Sequence, residues 1–110
     1  MTGALPVSVF IIAVNEGDRI GHTIRSVAGW VREIVVIDSG STDNTVAVSE
    51  AAGARVIHHA WPGYGPQKRF GEEQCASDWL LNLDADEVVS DALREEIRSL
   101  FASGEPAHPA

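Results

Sequence analysis

Three groups of acidic and polar residues are the part of this sequence best suited to chemistry. They are Asn15-Glu16-Gly17-Asp18, the segment DSGSTDNT (38–45), and Asp84, Asp86 and Glu87 in LLNLDADEVV (80–89). Carboxylates placed this close together repel one another, so their concentration makes sense if they face a divalent cation. Hard cations such as Mg²⁺ and Mn²⁺ prefer oxygen ligands. A bound cation could then hold phosphate groups that the carboxylates alone would repel.

Each acidic group follows a short apolar run that is predicted to be a strand. VSVFIIAV (7–14), EIVVID (33–38) and WLLNLD (79–84) precede the three groups, and ARVIHH (54–59) is a further strand. Helices are predicted at 17–30, 42–54, 65–77 and 90–103, with Thr42 or Asp43 as an N-cap, Gly53 as a stop and Pro66 as an opening residue. The alternation predicts an α/β fold with a mostly parallel sheet in the order 3-2-1-4 and helices on both faces.

The carboxyl ends of parallel strands meet at one rim, and ligands bind there where the winding reverses. For one acidic group, a solvated loop end is the simpler explanation, and capping alone could explain Ser41 to Asp43. Three groups at independent points of the sequence favour a ligand site. Within it, an Asp-x-Asp pattern after a strand lets two carboxylates point to the same side.

Composition limits the classes of function. The 110 residues suit one domain, and a formal net charge of −8 argues against binding to nucleic acid. The single cysteine, Cys75, excludes an internal disulfide. The first apolar run lacks the flanks of a signal peptide, so we expect a cytoplasmic protein.

The motifs VFIIAVNE, VVIDSGSTDNT and LLNLDADE, in this order, resemble the nucleotide-binding half of the inverting family 2 glycosyltransferases, which have the Rossmann-like GT-A fold. The match spans Val7 to about Phe101. The segment HHAWPGYGPQKRFG (58–71) is further similar to bacterial members that add glucose to the lipopolysaccharide core. The resemblance implies a nucleotide-sugar donor, UDP-linked by preference, a glycan or lipid-linked acceptor, and Mn²⁺ or Mg²⁺ as cofactor. It also implies that the full-length protein could lie peripherally at the inner face of the membrane.

The resemblance also implies roles for individual residues. Asn15 and Glu16 would line the pocket near base and ribose, Asp38 would bind the base with Ser39 beside it, and Asp84 with Ala85 would approach the ribose or a metal-bound water. Asp86 would ligate the metal. Glu87 matches no fixed role.

The segment after the third strand leaves alternatives open. Lys68 and Arg69 fall in the first turn of a predicted helix, where the helix dipole disfavours cations, so they could meet the diphosphate or the base. Pairing with Glu72 and Glu73 would explain them equally well. Trp61 and Tyr64 could cover the nucleotide, although packing under their loop is the preferred interpretation. His58 and His59 point to opposite faces and should not share a metal.

Two other classes of protein also place an acidic metal site on an α/β sheet. A nucleotidyltransferase would need a glycine-rich basic loop where this chain has NEGDR, and a phosphoacceptor signalling domain would need a strand-borne lysine. No acid after Glu87 is placed to act as the general base, so residues 1–110 are expected to be the N-terminal part of a longer enzyme, with its base beyond residue 110. The exposed edge of the fourth strand could then support self-association.

Overall fold

The computed structural model describes residues 4–102 and residue 104. Four strands alternate with four helices: β1 (Leu5–Ala13), α1 (Ile20–Val27), β2 (Val31–Asp38), α2 (Thr45–Ala51), β3 (Arg55–His58), α3 (Tyr64–Glu73), β4 (Trp79–Asp84) and α4 (Asp91–Leu100). The strands form one parallel sheet in the order β3-β2-β1-β4. The predicted α/β class and strand order are therefore confirmed.

Both faces of the sheet are covered, and the alternation of side chains along β1 shows how. Val9 and Ile11 of β1 belong to the larger apolar cluster, which includes residues of α1 and against which Val48 of α2 and Ile97 of α4 pack. Phe10 points to the other face, where Phe70 of α3 covers it. Because β1 is buried on both faces, its sequence is an almost unbroken apolar run.

α3 lies unusually close to the sheet. A Cβ atom added at Gly71 would lie 2.7 Å from Phe10 Cδ2 and 3.4 Å from Ile37 Cγ1. Glycine is therefore the residue that permits this spacing between helix and strands.

The helix boundaries differ from the prediction in ways that have local causes. α2 begins at Thr45 after Asn44, so neither Thr42 nor Asp43 is the N-cap, although Asp43 Oδ1 accepts from Thr45 N at 2.9 Å. α3 begins at Tyr64, two residues before Pro66. Gly53 follows α2 with φ of +106°, which confirms it as the stop.

β4 is an edge strand in the part of the chain that the structure describes, since it pairs only with β1. Leu80 is 39% exposed, and a small groove of about 160 Å³ runs between β4 and α4. Apolar side chains line this groove: Val7, Trp79, Leu80, Leu81, Ile97, Leu100 and Phe101. None of the described helices is long and apolar enough to cross a membrane.

Candidate functional site

The three acidic groups meet at one rim of the sheet. In the register of the sheet, Ala13 pairs with Asp38 and Ile12 pairs with Asp84, so the ends of β1, β2 and β4 lie side by side. The loops that carry the predicted ligand-binding residues therefore leave the sheet at the same level.

The loops after β1 and β2 are fastened to each other by side-chain hydrogen bonds. Asn15 adopts the left-handed conformation with φ of 53°, and its Oδ1 accepts from the backbone N–H groups of Thr42 at 2.8 Å and Asp43 at 3.3 Å. In return, Asn15 N donates to Ser41 Oγ at 2.9 Å. Thr42 and Asp43 thus bind the neighbouring loop, which the capping explanation did not include. Asn15 keeps its side-chain NH₂ group for a ligand.

Glu16 and Asp43 extend this connection. Glu16 N donates to Thr45 Oγ1 at 2.8 Å, and Gly17 N donates to Asp43 Oδ2 at 3.1 Å. The hydrogen bond from the Thr45 hydroxyl, assisted by the backbone N–H groups of Thr45 and Gly17, lowers the pKa of Asp43. Asp43 is therefore held as an anion that organises the loops.

Asp38 is more enclosed than the sequence suggested. It is 3% exposed, and its carboxylate accepts from Gly40 N at 3.2 Å, Ser41 N at 3.1 Å and Ser41 Oγ at 2.5 Å. A carboxylate has about four acceptor positions, so roughly one remains for a base. Asp38 can therefore offer a base about one hydrogen bond in this geometry.

In the DADE turn, the three carboxylates have different roles. Glu87 Oε1 accepts from Asp84 N at 3.0 Å, and Glu87 N donates to Asp84 O at 3.0 Å, so Glu87 closes the turn. Ala85 packs its methyl group in the core and its carbonyl accepts from Thr23 Oγ1 at 2.8 Å, which leaves only its backbone N–H for a ligand. Asp84 and Asp86 are exposed, and their carboxylates make no hydrogen bond or ion pair with any described residue.

Arg19 is a rim residue that the sequence analysis missed. Its guanidinium pairs with Glu16 Oε1 at 2.5 Å. The hydrogen bond to Glu16 is the main cause that raises the pKa of Arg19, and the charges of Asp86 and Asp18 add to it. Arg19 therefore lies within electrostatic reach of Asp86. Its position just before α1 was the available signal, since the start of a helix disfavours a cation without a local partner.

Lys68 and Arg69 lie in the second turn of α3, not the first. Neither pairs with Glu72 or Glu73, nor with any other acid in the described ranges, so the ion-pair explanation is wrong. Their charges remain available to an anionic ligand.

The loop aromatics are exposed rather than packed. Trp61 is 53% exposed and Tyr64 is 58% exposed, and the two rings contact each other with centroids 6.5 Å apart. The preferred interpretation of packing under the loop is therefore wrong. His59 is hydrogen-bonded to Gln67 through Nδ1 and stacked on Phe70, so its ring has structural partners.

The rim suits a metal that arrives with phosphate. No cluster of three His, Cys, Asp or Glu side chains that could hold a metal ion occurs among the described residues. Mg²⁺ and its relatives are commonly held by one or two carboxylates, substrate phosphates and water, not by a cage of protein ligands. The free carboxylates of Asp84 and Asp86 fit that arrangement.

The profile described as Glycosyl transferase family 2 matches residues 8–107. This chain belongs to glycosyl transferase family 2. The nucleotidyltransferase and phosphoacceptor alternatives are thereby set aside.

Two relatives illustrate the family. An uncharacterised glycosyltransferase of Rickettsia felis is 52% identical over 97 residues, which cover 88% of this chain and 34% of that protein. The lipopolysaccharide core biosynthesis glycosyltransferase LpsC of Rhizobium meliloti is 43% identical over 110 residues, covering 96% of this chain and 40% of that protein. The chain thus spans between a third and two fifths of these relatives.

The fold agrees with that of solved GT-A glycosyltransferase structures. Glucosyl-3-phosphoglycerate synthase from Mycobacterium tuberculosis, in complex with Mn²⁺, UDP and glucosyl-3-phosphoglycerate, superposes with a TM-score of 0.71 at 30% identity, covering 90% of this chain and 40% of that one. The GT-A fold expected from the motifs is confirmed.

Proposed function

We propose that this chain binds the nucleotide-sugar donor of a family 2 glycosyltransferase through a divalent metal, for inverting transfer to a glycan or lipopolysaccharide-type acceptor. The observation that supports this most directly is that some rim carboxylates are hydrogen-bonded to their own loops while others are free. Asp38, Asp43 and Glu87 accept hydrogen bonds that build the loops, whereas Asp84 and Asp86 are exposed and unpaired within the described residues. Two free carboxylates at the rim fit the usual way in which Mg²⁺ is held, by one or two carboxylates together with substrate phosphates.

The base and ribose would lie over the loops after β1 and β2. The side-chain NH₂ group of Asn15, the hydroxyl of Ser39 and the remaining acceptor position of Asp38 are the groups that can contact them. Glu16 would lie beside them through its pair with Arg19. A UDP donor is favoured because the similar synthase from M. tuberculosis was crystallised with UDP.

The diphosphate would lie toward β4. Asp86 would hold Mn²⁺ or Mg²⁺, with Asp84 toward the ribose or a metal-bound water. The metal, when bound, acts as a Lewis acid on the leaving diphosphate. Arg19 and Lys68 supply positive charge from the first loop and from α3, which lowers the repulsion between the phosphates and this acidic chain.

The acceptor side is proposed to lie outside these residues. Inverting transfer needs a general base within hydrogen-bond reach of the acceptor hydroxyl. Beyond Glu87, the described acids Asp91, Glu95 and Glu96 all lie on α4, outside the rim, and the first two pair with Arg94. We therefore expect donor binding without transfer from these 110 residues, in the cytoplasmic location where nucleotide-sugars are made. A glycan acceptor is favoured by the similarity to LpsC.

Isothermal titration of UDP in Mn²⁺ and in excess chelator tests the metal role. We expect binding to weaken strongly in chelator, and Asp86→Asn to remove most of the metal dependence. The matched control is Asp78→Asn, which removes an exposed carboxylate just before β4, at the opposite end of that strand from the rim. Equal affinity with and without metal would contradict the proposal, as would an equal effect of the control.

An assay of sugar transfer tests whether the acceptor side of the site lies outside residues 1–110. UDP-sugars incubated with Mn²⁺ and glycan acceptors should give no transfer with residues 1–110. Transfer that disappears in Asp86→Asn would show that this chain contains its own base, and the expectation of a missing acceptor side would be wrong.

The isolated chain is also proposed to self-associate through β4. The strand has an unpaired edge in the described structure, and its exposed Leu80 borders the apolar groove beside α4. Such edges recruit other chains. Sedimentation should show concentration-dependent dimers that Leu80→Lys disrupts. A monomer at high concentration would contradict this part of the proposal.

A further inference from the structure

Gln67 is a completely buried polar residue whose side chain lies between the ends of β2 and β3. Its exposed fraction is 0%. Its Nε2 donates to His59 O at 2.7 Å and to Ser39 Oγ at 3.2 Å, and its Oε1 lies 2.6 Å from His59 Nδ1. Burying an amide is costly unless its hydrogen bonds are made, so this network constrains every member.

The orientation of the amide follows from one partner. The carbonyl oxygen of His59 can only accept, so the NH₂ group of Gln67 must face it and Oε1 must face the imidazole. An amide oxygen can only accept as well, so His59 Nδ1 carries the proton. The ring is held in place by stacking on Phe70, with centroids 3.7 Å apart and planes at 11°.

The hydrogen bond from Gln67 also determines whether the Ser39 hydroxyl acts as a donor or an acceptor. Both hydrogens of the Gln67 NH₂ group are used, one of them on Ser39 Oγ. Since Ser39 Oγ accepts that bond, its own hydroxyl hydrogen is free to be donated. The backbone is fixed too, because Ser39 N donates to Ala13 O at 2.9 Å. Ser39 is thus prepared as a donor at the rim.

We propose that Gln67 is a positioning residue for donor recognition, which rests on the proposed nucleotide-sugar site. It holds Ser39 as a hydrogen-bond donor toward an oxygen of the nucleoside, a base carbonyl or a ribose oxygen. It does not touch the ligand itself. Gln67 is followed directly by Lys68 on α3. The hydrogen bonds of the buried amide therefore fix Ser39, the nucleoside contact, relative to the helix that carries the positive charge of Lys68.

Nucleoside and nucleotide binding separate this role from general support of the fold. Gln67→Met keeps the length and removes the amide. In Mn²⁺ we expect it to weaken uridine and UDP by the same factor, roughly five-fold, the size of one neutral hydrogen bond. In a Ser39→Ala background, Gln67→Met should cause no further loss.

Ser8→Ala is the control for a buried polar change. Ser8 is completely buried, but its hydroxyl donates to Glu33 at 2.7 Å in the amino-terminal half of the sheet, so nucleotide affinity should not change. Unchanged affinity in Gln67→Met would overturn the inference, and so would an equal loss in the Ser39→Ala background. If wild-type protein binds neither uridine nor UDP, the proposed function itself fails.

A measurement on the unaltered protein keeps the inference testable if Gln67→Met does not fold. Nitrogen-15 NMR of labelled histidine distinguishes the two imidazole tautomers. We expect His59 in the Nδ1–H form at neutral pH. An Nε2–H form would mean that the amide is oriented the other way, that Ser39 is not held as a donor, and that the inference is wrong.

Discussion

Replacing Gly71 by alanine should destabilise the protein, although alanine normally favours a helix. In a helix interior, the change gains about 1 kcal/mol in propensity. Here the new Cβ would lie 2.7 Å from Phe10 Cδ2, and Phe10 is 1% exposed in the central strand, so it has no space to move into. Overpacking of a core costs about 1–3 kcal/mol, and a contact this short belongs at the upper end of that range. The net loss should be about 1–2 kcal/mol, or roughly 5–15 °C in Tm for a domain of this size.

Urea unfolding followed by circular dichroism measures the effect. Gly65→Ala is the matched control, because it lies on the same helix, has nothing within 4 Å of its added Cβ, and should be neutral or slightly stabilising. If Gly71→Ala were as stable as Gly65→Ala, the spacing of α3 against the sheet would not depend on glycine. A displaced α3 should also carry Gln67 and Lys68 away from the rim, so Gly71→Ala should weaken UDP binding while Gly65→Ala does not.

Three further predictions concern Glu33, Ser77 and Trp61. Burial alone would raise the pKa of Glu33, but hydrogen bonds from Ala76 N and the Ser8 hydroxyl outweigh it and lower the pKa. The resulting stability is present above the ordinary glutamate pKa of about 4.3 and is lost as pH falls through the lowered value. Urea titrations between pH 7 and pH 3 should therefore show a flatter profile for Glu33→Gln. Ser77 Oγ is buried with no hydrogen-bond partner among the described residues, so Ser77→Ala should raise the free energy of unfolding by about 1 kcal/mol, and a loss would contradict this. Trp61 is half exposed beside the rim, so UDP should quench its fluorescence, and Trp61→Leu should remove the quenching.

The fold could be predicted because the burial of each strand and helix determines the pattern of its apolar residues. The unbroken apolar run of β1 reports burial on both faces, and the alternation of strands and helices then leaves few topologies. The position of the rim follows from the same facts. For this reason the three acidic groups could be brought together before any distances were known.

The use made of each rim side chain could not be predicted in the same way. Whether a carboxylate meets a ligand or its own loop depends on partners that the strand register brings near. The Asp38 carboxylate accepts a hydrogen bond from Ser41, three residues away, whereas the Asn15 side chain accepts one from Thr42, 27 positions away. The Glu87 carboxylate similarly accepts a hydrogen bond from the backbone N–H of Asp84. Charge and spacing alone do not distinguish a loop-building acid from a free one.

The fastening of the first loop to the second has a consequence for loop exchange between family members. Asn15 satisfies the backbone of Thr42 and Asp43, while Thr45 and Asp43 satisfy the backbone of Glu16 and Gly17. A graft of residues 38–45 alone would leave backbone groups on both sides without partners. The two loops behave as one transplantable unit, so a chimaera intended to alter base preference has to exchange both together.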